Sequence, residues 1–244
     1  MTTPPGHATA GAFPRVRPAG DQGLLVEFGE GISEEVHARV LAFDAALQAQ
    51  PFPGFTESVP AYASVLVGYD PLVADLGAVR ARVEALLARP AAGMVAGRLH
   101  EVAVCYDAEF APDLAAVAQR CGLMTEEVVA AHLAGEYRVF MYGFAPGYAY
   151  LGGVPEAIRL PRKPNPVRGI AAGSVLIAGP QCLVSTVAAP TGWWVIGRSS
   201  TRILRPEMER RPFLFDVGDR VRFRRVGAAE FGREVRPVNA AEGR

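Results

Sequence analysis

Cysteine is scarce in this chain, and the few that are present form no recognisable pattern. Cys105, Cys121 and Cys182 are odd in number and have no metal-ligand spacing, which argues against both a disulfide framework and a zinc site. We therefore expect a reducing compartment, the cytoplasm. The sequence also lacks a glycine-rich phosphate loop, a serine nucleophile elbow and a histidine pair at metal spacing. We expect no cofactor or metal on this chain, and any ATP that drives its chemistry should bind to a different chain of the assembly.

A surplus of charge of either sign is absent as well. Lys and Arg total 25, as do Asp and Glu, and Lys163 is the only lysine. Balanced charge removes the electrostatic footprint of a nucleic-acid binder or a membrane-surface protein. Residues 1–14 have neither a basic start nor an apolar run, so they predict a disordered tail rather than a signal peptide or a membrane span. Apolar residues make up 50% of the 244 positions, which is enough for one large or two ordinary domains.

Residues 15–90 are predicted to form a small α/β domain. Strands are indicated at Gln22–Phe28 and at Tyr62–Tyr69, because β-branched and aromatic residues dominate both runs. A helix is predicted to begin after Ser33, with two glutamates in its first turn and apolar residues at helical spacing. A second helix is predicted over Leu72–Leu87. Strand, helix, strand, helix in roughly 80 residues makes a compact α/β unit.

The stretch 89–97 is small, flexible and non-periodic, so we place a domain boundary there. Residues 98–227 then begin with a predicted strand, Leu99–Tyr106, and two helical segments, Asp113–Cys121 and Thr125–Gly135. Six short β-rich runs follow, divided by Gly and Pro, which predicts a closed or nearly closed β-barrel. These runs are Tyr137–Met141, Ser174–Ile177, Leu183–Val187, Trp193–Gly197, Thr201–Leu204 and Arg220–Val226. Residues 228–244 are mixed, polar and non-periodic, and are predicted to be a C-terminal tail.

The loop Tyr142–Gly153 combines flexibility, rigidity and aromatic surface. Its glycines open unusual backbone angles, Pro146 restricts one, and Phe144, Tyr148 and Tyr150 supply flat faces. Two interpretations are equally compatible with this composition. The loop is either a turn whose aromatic rings plug the core or a loop that faces a ligand.

Charged and polar groups near this loop in sequence suit a small acidic or amide ligand. Arg162 and Arg198 could clamp a carboxylate, and Gln181 could bind an amide or lactam group, although each arginine taken alone is more typical of an ordinary surface charge. His132 could carry a proton near neutral pH, or it could simply pack on its helix. Further candidates are Lys163, Arg168, Asp107, Glu109 and Asp113, whereas Trp193 and Trp194 are expected to pack the barrel.

An ordered set of motifs along nearly the whole chain resembles the KipI family, also called allophanate hydrolase subunit 1 or the PxpB-like component of 5-oxoprolinase. The most specific segments are Cys105-Tyr106, Glu109-Phe110, Pro112-Asp113-Leu114, His132, Gly143-Phe144, Pro146-Gly147, Tyr150-Leu151-Gly152-Gly153, Pro161-Arg162, Ala172-Gly173-Ser174-Val175, Gly192-Trp193 and Ile196-Gly197-Arg198. The resemblance implies the fold class α+β, with a small N-terminal α/β domain followed by a C-terminal cyclophilin-like β-barrel. It agrees with the boundary placed from composition.

The resemblance also implies an activity and partners. It implies a hydrolase subunit that works with a KipA-like (PxpC-like) subunit and a third, PxpA-like subunit to open the lactam of 5-oxo-L-proline, giving L-glutamate at the expense of ATP. This chain should be inactive without its partners. Two alternatives come from the same family. One is a KipI-like inhibitor of a sensor histidine kinase, and the other is a biotin-dependent carboxyltransferase of the urea carboxylase type.

On the 5-oxoprolinase hypothesis, His132 is the proton-transfer candidate. Arg162 and Arg198 bind a carboxylate, and Phe144, Pro146, Tyr148, Tyr150 and Gln181 line the cleft. The chain departs from the family pattern at 107–108, 148–149, 167 and 185, where Asp107-Ala108, Tyr148-Ala149, Val167 and Ser185 stand. These departures leave the choice of substrate open.

Overall fold

The computed structural model describes residues 13–89 and 97–234 of the chain, without the side chains of 233 and 234. The chain divides into two compact units, Met1–Val95 and Ala96–Arg244. Most of the two predicted tails, residues 1–12 and 235–244, and most of the predicted boundary segment lie outside the described residues. In the ranges that are described, no helix is long and apolar enough to cross a membrane.

The first unit is an antiparallel sheet with two helices. Its elements are β1 (Arg15–Pro18), β2 (Gly23–Glu27), α1 (Glu34–Ala49), β3 (Phe55–Pro60), β4 (Ser64–Tyr69) and α2 (Leu76–Leu87). The strand order is β1-β2-β4-β3, and every pairing is antiparallel. Leu24, Val26, Val65 and Val67 are fully buried with residues of both helices, because alternate residues of a strand face the same side.

The sequence predicted β2, β4 and α1 but missed β1, which has four residues, and β3, which carries polar residues at three of its six positions. The second helix begins at Leu76 rather than Leu72. Asp75 accepts a hydrogen bond from Ala78 N at 2.9 Å as the N-cap, while Val73 N and Ala74 N both donate to Asp70 O in the preceding turn. A capping aspartate therefore sets the start of this helix.

The second unit is a closed seven-stranded barrel, as the sequence predicted. Its elements are β5 (Leu99–Cys105), α3 (Leu114–Cys121), α4 (Thr125–Ala134), β6 (Tyr137–Tyr142), β7 (Ala149–Gly152), β8 (Ser174–Ala178), β9 (Gln181–Val184), β10 (Trp194–Ser199), β11 (Arg220–Val226) and α5 (Ala228–Glu234). The strand order is β10-β5-β11-β6-β7-β9-β8, closed by the β8–β10 pairing, and only β5 and β11 run parallel among the described pairings. The fold class is α+β.

Three local predictions for this unit differ from the structure. Thr201–Leu204 is not a strand, since only Leu204 forms an isolated bridge, to Phe213. The strand β7 was missed. Residues 228–234 form α5 instead of a tail, because Phe231 is buried and packs on Phe110 with ring centroids 4.6 Å apart.

The barrel wall formed by β7, β9, β8 and β10 has an apolar layer on each side. Val175, Ile177, Cys182 and Val184 belong to the barrel core. A separate layer on the other side, which we call the outer face, consists of Tyr148, Leu176, Ala178, Leu183, Trp193 and Val195, with Ala145, Tyr150 and Ile170 packed against it. Because both sides of this wall are buried, the sequences of these strands are continuous apolar runs and do not alternate between apolar and polar residues.

Candidate functional site

The predicted loop is shorter in the structure, because Tyr142 ends β6 and Ala149–Gly152 form β7. The segment Tyr142–Gly153 nevertheless both fills the outer face and presents a ring to solvent, so each of the two interpretations from sequence holds for part of it. Tyr148 is 5% exposed, and its hydroxyl donates to Val187 O at 3.2 Å. The loop closes through Gly143 N to Tyr148 O and Tyr148 N to Ala145 O. Gly147 has φ +76°, and an added Cβ there would meet Thr186 Cγ2 at 3.0 Å, so this position favours glycine.

Phe144 is the presented ring of this loop. It is the one non-glycine residue with positive φ (69°) in the described chain, and the residue is 76% exposed. Its ring centroid lies 5.4 Å from that of Tyr148. A bulky residue in the left-handed region is strained, and little burial offsets the strain here. Pro146, two residues on, is also exposed. Strain of this kind occurs at binding loops.

Arg162 lies against the outer face. Its guanidinium carbon is 5.5 Å from the ring centroid of Trp193, and Tyr150 meets the same indole edge-on at 5.8 Å. Arg162 itself is exposed, and no carboxylate of the described residues forms an ion pair with it. An arginine on an aromatic ring keeps its N–H groups available for a carboxylate. Trp193 is buried, as the sequence predicted, and it also supports Arg162.

The other two predicted ligand residues occupy different places on the barrel. Gln181 pairs with Ala178 and Gly152, and strand alternation puts it on the same side of β9 as Leu183, the side of the outer face. Arg198 pairs with Cys105 of β5, and its Nε donates to Ala172 O at 3.3 Å. In the described part of the chain no hydrogen bond, ion pair or cation–ring contact joins Arg198 to Arg162 or Trp193.

His132 lies inside the barrel and is fully buried. Nδ1 is 2.8 Å from the Tyr106 hydroxyl and Nε2 is 3.7 Å from Cys182 Sγ, while the Phe223 ring centroid is 4.5 Å away. Burial lowers the pKa of His132 from 6.5 to about 3, because a low-dielectric interior disfavours the charged imidazole. Burial also raises the pKa of Tyr106 and of Cys182. All three groups are therefore neutral at physiological pH.

A second polar cluster, not predicted from the sequence, closes one end of the barrel. Asp219 is 3% exposed and accepts hydrogen bonds from Arg98 N at 2.8 Å and Asp216 N at 2.8 Å. His100 Nε2 is 2.7 Å from the same carboxylate. The carboxylate therefore joins the starts of β5 and β11 to the loop before β11. Among the described residues, no group of three His, Cys, Asp or Glu side chains is arranged to hold a metal ion.

Comparison with known proteins identifies relatives. Residues 14–215 match the family model described as carboxyltransferase domain, subdomain C and D. The chain is 40% identical over 228 residues to the B subunit of the Bacillus subtilis 5-oxoprolinase, a match that covers 89% of this chain and 95% of the relative. The crystal structure of TTHA0988 superimposes with a TM-score of 0.75 at 39% identity, covering 88% of this chain and 41% of that one. This chain thus spans less than half of that solved chain.

A more distant likeness concerns the fold alone. The crystal structure of the Kluyveromyces lactis urea carboxylase superimposes with a TM-score of 0.73 at 17% identity, covering 89% of this chain and 22% of that chain. A similar fold therefore occurs as a segment of that much longer chain.

Proposed function

The chain belongs to the family of carboxyltransferase domains, subdomain C and D, and we propose that it is the B subunit of an ATP-dependent 5-oxoprolinase, with ATP bound on a partner. The observation that carries the proposal is the 40% identity to the corresponding Bacillus subtilis chain across 95% of that protein. Two further relatives bear the same name, at 44% and 34% identity over shorter alignments.

The proposed reaction adds water across a lactam C–N bond. 5-Oxo-L-proline has a flat lactam ring and a carboxylate, and its hydrolysis gives L-glutamate with a new carboxylate and a free amine. Arg162 on Trp193 offers a guanidinium to the existing carboxylate. Tyr150, which is only partly buried and packs edge-on against Trp193, offers an aromatic wall to the ring. We therefore assign the acidic-substrate site to the outer face beside Arg162.

Proton transfer by His132 stays a prediction from sequence. Its neutral imidazole has the form that a base needs, but its ring lies on the core side of β9, in contact with Cys182. A substrate on the outer face reaches it only if β9 moves. Substrate binding at Arg162 does not depend on this step.

We propose a KipA-like (PxpC-like) partner and a PxpA-like third subunit. Two observations support a multi-subunit assembly. The relatives are named as subunits, and the match to TTHA0988 occupies only 41% of that chain, so a relative of this chain is found joined to further sequence. This chain alone should then lack turnover.

Reconstitution tests the proposal. The chain and its two partner subunits are purified separately, mixed, and supplied with 5-oxo-L-proline and ATP, and L-glutamate is measured. We expect glutamate only when all three subunits and ATP are present. Omission of this chain, with the other two at the same concentration, is the control. Glutamate formation that is unaffected by the omission, or absent from the complete mixture, contradicts the proposal.

A further inference from the structure

Arg162 is flanked on both sides by residues hydrogen-bonded to the neighbours of Trp193, in the segment that leads into β10. Lys163 N donates to Gly192 O at 2.7 Å, and Trp194 Nε1 donates to Pro161 O at 2.8 Å. The two segments thus bond on either side of the Arg162–Trp193 pair. A few residues further on, Val167 and Thr191 exchange two backbone hydrogen bonds of 2.8 and 2.9 Å. The backbone of Arg162 is fixed relative to the indole beneath its guanidinium.

The side chain of Lys163, the only lysine of the chain, secures this arrangement to α3 and β10. Its side chain is 10% exposed, and its ammonium forms an ion pair with Asp113 Oδ2. The same oxygen accepts Val195 N at 2.7 Å, and Asp113 N donates to Val195 O at 3.0 Å. Nζ also lies 5.3 Å from the ring centroid of Trp194. We call Asp113 and Lys163 the clamp.

Asp113 occupies the N-cap position of α3, where an aspartate side chain usually accepts a hydrogen bond from the helix backbone. Every residue of that helix is described, and none of its N–H groups donates a capping hydrogen bond to the Asp113 carboxylate. An N-cap aspartate normally accepts from the second or third helical N–H. Here its acceptor capacity is directed to Lys163 and Val195 instead. The carboxylate therefore supports the Arg162 segment rather than the helix.

We propose that Asp113 and Lys163 are positioning residues for the acidic-substrate site, which hold Arg162 over Trp193 so that its guanidinium meets a substrate carboxylate. This proposal rests on the proposed function. The clamp touches no substrate itself and acts through Arg162. Removal of one member leaves the other as a half-buried charge without its partner, and the segment 161–167 loses the Lys163–Asp113 ion pair as one of its anchors.

Kinetics of the reconstituted assembly test this role. Lys163→Met should raise the KM for 5-oxoproline roughly tenfold while kcat changes by less than about threefold, because substrate binding and not chemistry is disturbed. Lys163→Arg, which keeps the charge, should recover most of the loss. Arg120→Met is the matched control, since it removes the other cation near Trp194, 5.1 Å from its ring, and should leave KM unchanged.

A double variant distinguishes positioning from general structural damage. If the clamp acts through Arg162, then Arg162→Ala with Lys163→Met should have the KM of Arg162→Ala alone, because there is no guanidinium left to position. A further rise in KM in the double variant overturns the proposal. So does a Lys163→Met effect confined to kcat.

A measurement without turnover keeps the inference separate from the proposed function. The chain has two tryptophans, so an ¹⁵N spectrum shows two indole signals, assigned with Trp193→Phe and Trp194→Phe. Lys163→Met should shift both, and Arg120→Met should shift Trp194 alone. Indole signals that do not respond to Lys163→Met overturn the clamp. Shifted signals in a chain whose assembly does not open 5-oxoproline contradict the 5-oxoprolinase assignment and leave the clamp standing.

Discussion

Nε2 of His132 lies 3.7 Å from Sγ of Cys182 in the interior of the barrel. Cys182 points inward from β9, and the next residue, Leu183, belongs to the outer face. The strand β9 is therefore the wall between the buried imidazole and the surface that carries Arg162. The arrangement gives the two regions separate, testable roles.

The buried imidazole should make the stability of the barrel depend on pH. The pKa of His132 is lowered from 6.5 to about 3, so between these values the unfolded chain binds a proton that the folded chain does not. Stability should then fall as pH falls below 6.5, by roughly 1 kcal/mol between pH 6 and pH 5. Urea unfolding followed by tryptophan fluorescence reports on this unit, since both tryptophans lie in it.

His132→Gln is the comparison for this measurement. Its unfolding free energy should be lower than that of the wild type at pH 7 and should lose the part of the pH dependence that comes from the imidazole. Identical slopes for the two proteins between pH 6 and pH 5 would show that His132 is not the source.

Tyr106→Phe should destabilise the barrel by about 1–3 kcal/mol, because it leaves Nδ1 of His132 without a partner in the core. The hydroxyl lies 2.8 Å from that nitrogen. Tyr148→Phe is the control, since its hydroxyl donates to Val187 O at 3.2 Å on the outer face. We expect a smaller loss for the control, and an equal loss in both would refute a special role for the Tyr106–His132 bond. The measurement is urea unfolding at pH 7.

We expect the strained backbone of Phe144 to lower the stability of the barrel and its exposed ring to contribute to substrate turnover. Replacement by Gly and by Ala both remove the exposed ring, but only Gly is free of strain at φ 69°. Phe144→Gly should therefore be more stable than Phe144→Ala by about 1 kcal/mol, measured by thermal unfolding. Both variants should weaken 5-oxoproline turnover in the reconstituted assembly to a similar degree. If the more stable Phe144→Gly variant keeps clearly more turnover than Phe144→Ala, then turnover depends on stability and not on the ring. That result contradicts a binding role for Phe144.

Much of this fold could be predicted from the sequence because its elements carry local signals. The helical spacing in α1 and the β-rich runs of the barrel depend only on neighbouring residues. β1, β7 and α5 were missed, because strands of four residues acquire their conformation from pairing and α5 depends on one buried ring, Phe231. The local sequence pattern of these three elements is too weak to predict them.

The site could be predicted only in part. The proximity of Arg162, Trp193 and Tyr150 arises from tertiary packing, although the residue types indicated a ligand surface. The pairing of Asp113 with Lys163 joins residues 50 positions apart, and no local pattern predicts it. The burial of His132 was one of two interpretations, and only the closed barrel distinguishes a core residue from an accessible one.

Asp219 should be essential to the end of the barrel. Asp219→Ala removes the acceptor for Arg98 N, Asp216 N and His100 at once, and should cost about 3 kcal/mol or more of unfolding free energy. Asp216→Ala is the matched control, because its side chain is 57% exposed and its ion pairs within the described ranges are those with Arg98 and Arg211. The control should cost less than about 1 kcal/mol. Comparable losses in the two variants would contradict the central role of the Asp219 carboxylate.

The most direct test of the account compares 5-oxoproline with 2-pyrrolidinone, the same lactam without its carboxylate, in the reconstituted assembly. If Arg162 binds the carboxylate, the wild type should prefer 5-oxoproline, and Arg162→Ala should reduce the ratio of the two kcat/KM values by roughly tenfold or more. An unchanged ratio in Arg162→Ala would show that the acidic group is recognised elsewhere and would contradict the assignment of the substrate site to this face.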